Sequence, residues 1–537
     1  MGGVVSVGES AALNISLKGV IGRASTAYHQ RVLGGENDAD RLKQKRLGQF
    51  FTPDEMGERV ARGLIDGYAL TDGRISIVDP FCGDGRLLRW TAEAAIAKWG
   101  TDLKHIDLRG YEIDPVWAEV ACERLQEWKE KLGYANLLIS VTIRNADFLT
   151  EVGSSFTPAD LCITNPPWLQ IPTGARADSA YRDYGKLLGA MFPESVAVGG
   201  FRGVHVNLAR VGAVAALKSV TSTGSVAVII PSSLLSDVAS QGFRGLLFRD
   251  FEVTTVERYP AAMKIFTGID YDVAYFIANR SSEGRALRLV ANRPSGVKGE
   301  QYLSLPDQKE FFGPSLRIAD FETRRGFELF NALSHFPPIG DHPGVRVFRE
   351  IDETRISEKF DESAPVQFVK GRNIARFSTP RELPRISLDG QRKFPGLLSE
   401  KIVWRDVSRR SQVRRVHATL VGSGVVAGNS LGCLQTEDHG GGALRYYLGL
   451  LNSMPAEFQV LGNGTANHVS VGAVKALRFP IYDGSNLKHQ KIVSLVGERL
   501  ISSSSHLEEE IDLLVVDVLG LRNEDLDEMY LALRRNA

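Results

Sequence analysis

Short apolar runs alternate with helical periods in the first half of the chain, from Ile75 to about Asn279. Seven runs, among them "ISIVDP", "ADLCITNPP" and "SVAVIIP", have the length and composition of buried strands. Segments such as "RLLRWTAEAAIAKW" and "PVWAEVACERLQEWKEKLG" lie between them and repeat apolar residues at i, i+3 and i+4. Strands that alternate with helices in this way predict an α/β fold with a doubly wound, mostly parallel sheet.

This rhythm ends near residue 285, after which proline, glycine and arginine become more frequent and strands become short and irregular. We therefore predict four regions. They are a leader or helical segment over residues 1–46, the sheet domain over 47–285, a mixed α+β domain over 286–495 and a helical segment over 496–537.

Composition is that of a globular protein with several domains, since the 537 residues are 43% hydrophobic and 24% charged. No run of about eighteen apolar residues predicts a membrane span, and the amino terminus lacks the basic and apolar blocks of a secretory signal. The four cysteines lack metal-ligand spacing, so we expect reduced thiols, no metal site and a cytoplasmic location.

Positive charge is concentrated in one part of the second domain, although the net charge of the chain is zero. Between Lys370 and His417, thirteen Lys or Arg residues stand against four acids. This excess predicts contacts with phosphate groups, and the alternative is a solvated surface loop. We select six residues as candidate DNA contacts: Lys370, Arg372, Lys401, Arg405, Arg409 and Arg410.

Acids follow the first three predicted strands, at the sheet edge where ligands bind in this class of fold. Asp79 precedes a glycine turn, "DPFCGDG", and Glu112 and Asp147 end the next two strands. The turn departs from the dinucleotide fingerprint G-x-G-x-x-G, and Asp79 would repel a pyrophosphate but suits a ligand with a cationic group. Each acid alone also fits a helix cap or a turn, whereas three at successive strand ends predict a site.

The fourth strand ends in "ITNPPWLQ", where two prolines stop the strand because they fix φ and donate no N–H. This leaves a rigid tip in which a polar side chain, Asn165, lies next to the indole of Trp168. The tip is either an ordinary turn with a boundary tryptophan or a binding site.

Five motifs carry a family resemblance in this order: "GQFFTP" (48–53), "DPFCGDG" (79–85), "GYEID" (110–114), "NADFL" (145–149) and "NPPW" (165–168). They resemble the amino-group DNA methyltransferases that use S-adenosylmethionine. With the basic region last, the order is similar to the gamma group of adenine-N6 enzymes in restriction-modification systems. The resemblance implies the class I methyltransferase fold with seven strands and a carboxyl-terminal target-recognition domain.

The resemblance also implies S-adenosylmethionine as the cofactor, with Thr52 and Phe51 at its methionine end and Glu112 on its ribose. Asp147 would accept from the adenine amine, and Phe148 would pack on the adenine ring. The full set that it assigns to the cofactor is Phe51, Thr52, Asp79, Phe81, Gly83, Gly85, Glu112, Ile113, Asp147, Phe148 and Asn165.

The tip would be catalytic, with the residues Asn165, Pro166, Pro167 and Trp168. A nucleobase amine is a poor nucleophile, and acceptors at its two hydrogens, the Asn165 side chain and the Pro166 carbonyl, would direct its lone pair at the methyl group. Trp168 would stack on a base rotated out of duplex DNA. Phe266 is the predicted second stacking aromatic, with Tyr271 as its rival and simple core packing as the alternative.

The predicted partners are double-stranded DNA and, in some settings, a separate restriction endonuclease chain. Only about 45 residues precede "GQFFTP", so we expect no nuclease domain there and a monomer or weak dimer associated with the nucleoid of a prokaryote. Two alternatives stay open. One is the modification subunit of a multisubunit, type I-like system, and the other is a protein-glutamine or RNA guanine methyltransferase that uses the same "NPPW" tip.

Overall fold

The computed structural model forms two compact units, one with residues up to Asn292 and Lys298–Arg317 and the other with Arg293–Val297 and Ile318–Ala537. The structure describes residues 24–29, 48–133, 136–151, 156–174, 177–198, 205–281, 283–351, 362–379, 382–387, 399–408, 412–437, 441–464 and 468–534.

The first unit is built on a nine-stranded sheet whose strands pair in the order β11-β10-β8-β9-β7-β4-β1-β2-β3. β9 runs antiparallel to both neighbours and β11 is antiparallel to β10, while the other pairs are parallel. The α/β fold with a mostly parallel sheet is thus confirmed. The strands are β1 (Arg74–Asp79), β2 (His105–Glu112), β3 (Leu138–Asn145), β4 (Ala159–Thr164), β7 (Val220–Pro231), β8 (Glu252–Tyr259), β9 (Val273–Asn279), β10 (Leu287–Asn292) and β11 (Lys298–Leu303), with a separate two-stranded antiparallel sheet of β5 (Gln170–Pro172) and β6 (His205–Asn207).

Helices connect these strands, and their buried residues repeat at helical spacing because one face packs on the sheet. The helix after β1 starts at Arg86 and ends at Trp99, as the apolar period predicted. Residues 24–29 are also helical. The numbered α-helices of this unit are α1 (Asp54–Asp66), α2 (Arg86–Trp99), α3 (Pro115–Leu132), α4 (Phe148–Glu151), α5 (Ser179–Met191), α6 (Leu208–Leu217), α7 (Gln241–Asp250) and α8 (Leu305–Phe312).

The first unit extends past residue 285, where we placed the end of the sheet domain. Leu287, Leu289 and Val290 are buried, because β10 pairs with β8 and adds to the seven predicted strands. No helix separates β9, β10 and β11 along the chain, so the alternation of strands and helices did not indicate these last two strands.

The second unit contains a four-stranded sheet, in the order β12-β18-β15-β16, and a three-stranded sheet, in the order β14-β13-β17. The predicted boundary at residue 495 falls inside a helix, and the carboxyl-terminal helices pack within this unit. The elements are α9 (Arg324–Ala332), β12 (Val345–Phe348), β13 (Val366–Val369), β14 (Arg385–Ile386), β15 (Lys401–Arg405), β16 (Ala418–Val421), β17 (Val425–Ala427), β18 (Leu431–Thr436), α10 (Gly442–Leu451), α11 (Met454–Gly462), α12 (Val471–Lys475), α13 (Leu487–Ile501), α14 (Ser505–Val518) and α15 (Asn523–Leu533).

Within the described ranges, no helix combines the length and apolarity needed to cross a bilayer. Cys82, Cys162 and Cys433 are buried, Cys122 is exposed, and all four are free thiols.

Candidate functional site

A cleft lies at the carboxyl ends of β1 to β4 and holds about 860 Å³ of empty space, including its open mouth. The four strands are adjacent in the sheet, so the residues that follow them meet at one edge, as expected for ligand sites in open α/β sheets. Predicted site residues that line the cleft are Phe51, Thr52, Phe81, Gly83, Glu112, Ile113, Asp147, Asn165 and Pro167.

Asp79 ends β1 and is completely buried. Its Oδ1 accepts from the Thr164 hydroxyl at 2.7 Å and from the Phe81 N–H at 3.0 Å, while Oδ2 is buried without a hydrogen-bond partner among the described residues. Burial raises the pKa of Asp79 to about 7, since desolvation disfavours the charged form. A buried carboxylate with a free oxygen suits a ligand that brings a donor or a positive charge.

The turn after Asp79 bends sharply at two glycines, Gly83 and Gly85, with φ values of 51° and 79°. These angles lie in the left-handed region that favours glycine. A Cβ on Gly83 would sit 3.3 Å from the Phe51 ring, so the bare backbone keeps this wall of the cleft open. Helix α2 begins directly after the turn and points its amino-terminal N–H groups toward it.

Glu112 ends β2 and is held by backbone donors. Its Oε2 accepts from the Gly83 N–H at 3.0 Å, and Oε1 accepts from the Asp114 N–H at 2.9 Å and from Gln49 Nε2 at 3.2 Å. Burial raises the pKa of Glu112 to about 7, although the two N–H donors act in the opposite direction. The carboxylate is therefore fixed in orientation and keeps acceptor capacity for a ligand hydroxyl.

Asp147 follows β3 and also lines the cleft, but the structure places Phe148 elsewhere. The Phe148 ring is 1% exposed and packs edge-on against Tyr111 and Phe156, with ring centroids 4.9 and 5.1 Å apart. The prediction that Phe148 lies on the adenine ring is therefore corrected. Helix α4 begins at Phe148 and turns its side chain into the core. Tyr111 and Leu149, which are its neighbours, line the cleft instead.

Asn165, the first residue of the tip, has an amide whose orientation is fixed by its partners. Its Nδ2 donates to the Phe50 carbonyl at 2.8 Å and to the Thr52 hydroxyl at 3.2 Å. A carbonyl oxygen only accepts, so the NH2 group must face Phe50 and the amide oxygen must point the other way. In the described part of the chain that oxygen is buried without a hydrogen-bond partner, and it is available as an acceptor.

The two prolines of the tip have different surroundings. Pro167 lines the cleft, whereas Pro166 packs against Gly212, where an added Cβ would lie 2.4 Å from the proline Cβ. The bare backbone of Gly212 is thus what allows the tip to approach the helix.

Trp168 is 8% exposed and lies within a group of aromatic rings. The ring centroids of Phe266, Phe50 and Tyr271 are 4.9, 5.6 and 5.9 Å from its own. The structure thus brings both predicted second aromatics to Trp168, with Phe266 the nearer. Because these rings contact one another, a base could stack on Trp168 only if they separate, and base stacking stays a prediction.

The segment 48–53 runs across the cleft and alternates its contacts between the two sides. Gly48 accepts from the Trp168 N–H at 3.0 Å, and Phe50 and Thr52 contact Asn165. The residues between them, Gln49 and Phe51, face Glu112 and the glycine turn. One extended segment therefore links the acid that ends β2 to the tip that ends β4.

Gln49 and Phe50 were not predicted. Residues 48–53 show no alternation of polar and apolar side chains, so only the extended backbone of the segment, which points neighbouring side chains to opposite sides, brings them to the site. Tyr28 and Tyr184, which also line the cleft, come from a helix near the amino terminus and from α5. No local pattern in the sequence connects them to the site.

The predicted DNA contacts in the second unit divide into three groups. Lys401 is completely buried and pairs with Glu350 at 3.1 Å, so the prediction that it meets phosphate is wrong. Arg372 is exposed and Arg405 is half-buried, and they stay predictions together with the half-buried Lys370. The remaining two, Arg409 and Arg410, lie outside the described residues.

Two other cations of the basic segment are neutralised by acids within the fold. Arg376 pairs with Glu508 at 2.6 Å, and Arg414 pairs with Asp512. These acids belong to α14, about a hundred residues later in the chain. The charge count along the sequence therefore overstates the positive charge that can reach a partner.

Comparison with known proteins supports the predicted family. Residues 37–300 match the sequence profile of the family described as N-6 DNA Methylase. The type II methyltransferase M.BanIII from Aneurinibacillus aneurinilyticus is 25% identical over 262 residues, which cover 47% of this chain and 42% of that protein. The chain thus spans less than half the length of this relative.

Two solved structures share the fold over most of the chain. One is the type IIL restriction-modification enzyme MmeI in complex with DNA, with a TM-score of 0.57, 11% identity, and coverage of 96% of this chain and 77% of that one. The other is a nuclease-deletion mutant of the type ISP enzyme LlaGI with a DNA substrate mimic, with a TM-score of 0.53, 11% identity, and coverage of 87% and 57%. At this identity the likeness concerns the fold alone, and the sequence match carries the family assignment. Residues 37–300 of this chain belong to the N-6 DNA methylase family.

Proposed function

We propose that this protein is a DNA methyltransferase that transfers a methyl group from S-adenosylmethionine to N6 of adenine in double-stranded DNA. The observation that carries the proposal is the fixed amide of Asn165, whose buried oxygen is free to accept. The family match and the DNA that was bound in both structural neighbours are consistent with it. A role as the modification part of a restriction-modification system belongs to the same proposal.

The cleft residues fit the proposed cofactor. The free Oδ2 of Asp79 and the glycine turn suit the ammonium and carboxylate of its methionine part. Glu112 suits the ribose hydroxyls, and Asp147 suits the adenine amine. When bound, S-adenosylmethionine supplies an electrophilic methyl group.

The tip would act on the base that receives the methyl group. Asn165 Oδ1 accepts one N–H of the adenine amine, which favours a pyramidal nitrogen with its lone pair free to react. Asn165 cannot rotate to offer its NH2 group instead, because it would then lose its bonds to Phe50 and Thr52. Trp168 and Phe266 would hold the rotated base once their rings separate.

The proposal is tested by incubating the purified single chain with methyl-labelled S-adenosylmethionine and either unmethylated duplex DNA, RNA or protein. We expect label in DNA only. Label in RNA or protein alone would favour the glutamine or guanine methyltransferase alternative, and DNA methylation that requires an added specificity subunit would favour the type I-like alternative.

The pH dependence of cofactor binding follows from the two raised pKa values. Asp79 and Glu112 have higher pKa values in the folded protein than in the unfolded chain. Their contribution to the free energy of unfolding is therefore fully present below about pH 4 and is lost as the pH rises through about 7. Ligand binding has the opposite dependence, because an ammonium and ribose hydroxyls prefer ionised carboxylates. We expect the Kd of S-adenosylhomocysteine to fall by up to about tenfold per carboxylate between pH 6 and pH 8.

Isothermal titration across this pH range checks the expectation, with Asp79→Asn as the variant that should flatten part of the profile. A Kd that is constant or rises with pH in the wild-type protein would contradict the assignment of these two acids to the cofactor.

The basic segment gives a second expectation. Replacing Arg372 with alanine should weaken binding to duplex DNA of any sequence and lower the slope of log K against log salt by about one, because one phosphate contact is lost. Arg324→Ala on α9 is a matched control, since this arginine is also exposed but lies outside the basic segment. If Arg372→Ala leaves the DNA affinity and the salt slope unchanged, the basic segment is a solvated surface loop and does not contact DNA phosphates.

A further inference from the structure

Asp147 is held by side chains that are distant from it in the sequence. Its Oδ2 accepts from the Tyr184 hydroxyl at 2.8 Å and from the Ser25 hydroxyl at 3.0 Å, and His29 Nε2 lies 3.6 Å from the same oxygen. Its Oδ1 accepts from the Leu149 N–H at 3.1 Å. Two hydroxyls and one N–H therefore fix the plane of the carboxylate.

Tyr184 is itself held rigidly. Its ring is 2% exposed and stacks on Tyr28 with centroids 4.2 Å apart and an angle of 10°. Burial and the neighbouring Asp147 raise the pKa of Tyr184 well above its ordinary value, so its hydroxyl stays protonated and can only donate to the carboxylate. Tyr184 thus acts as a fixed donor throughout the working pH range.

We propose that Tyr184 is a positioning residue for the cofactor, which holds Asp147 in the orientation that accepts from the exocyclic amine of the adenine. This inference rests on the proposed function. With Oδ2 occupied by Tyr184 and Ser25, Oδ1 keeps acceptor capacity beyond its single bond to Leu149. Without Tyr184 the carboxylate can rotate, and the selectivity of the cleft for an amine at C6 of the purine should fall.

The test measures binding of two ligands to the full chain: S-adenosylhomocysteine and its 6-deamino analogue, in which hydrogen replaces the amine. We expect Tyr184→Phe to raise the Kd of S-adenosylhomocysteine by about tenfold and to leave the Kd of the analogue within about twofold of the wild-type value. Ser25→Ala, which removes the second hydroxyl, should shift selectivity in the same direction by a smaller factor.

Tyr181→Phe is the matched control, because Tyr181 lies on the same helix and contacts Tyr28 edge-on but makes no hydrogen bond to Asp147 in the described structure. We expect it to bind both ligands as the wild-type protein does. Unchanged binding of S-adenosylhomocysteine in both Tyr184→Phe and Ser25→Ala would overturn the inference. An equal rise in the Kd values of both ligands in Tyr184→Phe would also overturn it. A wild-type protein that binds neither ligand would instead overturn the proposed cofactor.

Discussion

Replacing Asn165 with alanine is expected to lower turnover by about a hundredfold to a thousandfold while cofactor binding stays within about twofold of wild type. The variant loses the acceptor for the adenine amine. It also removes the donor that joins the tip to the Phe50 carbonyl and the Thr52 hydroxyl. Turnover under saturating DNA and a separate titration with S-adenosylhomocysteine measure the two effects independently.

Asn165→Asp tests the acceptor oxygen separately from the NH2 group that donates to Phe50 and Thr52. The carboxylate keeps an acceptor for the amine but places a negative oxygen against the Phe50 carbonyl, so we expect activity between those of wild type and alanine. An alanine variant with turnover within about tenfold of wild type would contradict the role given to this side chain. So would an aspartate variant less active than alanine, since the retained acceptor would then be irrelevant.

Replacing Gly212 with alanine is expected to have the second largest effect, although this residue touches neither proposed substrate. An added Cβ would lie 2.4 Å from the Pro166 Cβ and 3.0 Å from the Phe81 ring. The proline ring cannot rotate away, so the tip must move, and a displacement of about 1 Å can lower a rate by about a hundredfold. We expect a loss of turnover of this order and a lower free energy of unfolding by about 1–3 kcal/mol.

Gly245→Ala is the matched control. Gly245 also lies inside a helix, α7, but an added Cβ there meets no atom within 4 Å. We expect this variant to keep full turnover and to gain about 0.5–1 kcal/mol in the free energy of unfolding, because alanine favours the helix. Normal turnover in Gly212→Ala, measured beside this control, would show that the tip tolerates displacement.

The sheet could be predicted from the sequence wherever strands and helices alternate. Buried parallel strands are apolar along their whole length and their helices are amphipathic, so the two periods are easily separated between Ile75 and Asn279. Strands β10 and β11 could not be predicted in this way. They are joined by a short turn. β10 takes its place in the sheet by pairing with β8, which lies about thirty residues earlier, and β11 then pairs with β10.

The site was predictable where each residue follows a strand directly. Glu112, Asp147 and Asn165 line one cleft, and Asp79 is buried at the end of the strand between theirs, because the carboxyl ends of adjacent parallel strands lie at one edge of the sheet. Side-chain direction just after a strand depends on the first turn of the next element, which is why Phe148 turned into the core.

Charge was the least predictable property. Lys401 is buried because Glu350, which lies some fifty residues earlier, satisfies it within the fold. A count of charges along the chain cannot show such pairs, whereas the described contacts do. The same limit applies to Tyr184, whose partner Asp147 comes from a different strand end.

The central claim concerns the atom that is methylated, and nucleoside analysis tests it most directly. Unmethylated duplex DNA treated with the purified protein and S-adenosylmethionine is digested to nucleosides, which are then separated and identified by mass. We predict N6-methyl-2′-deoxyadenosine with the wild-type protein. With Asn165→Ala we predict that the amount of this nucleoside is lower by at least about a hundredfold. N4-methyl-2′-deoxycytidine in its place, or unmodified DNA with an active methyl transfer to another substrate, would contradict the account.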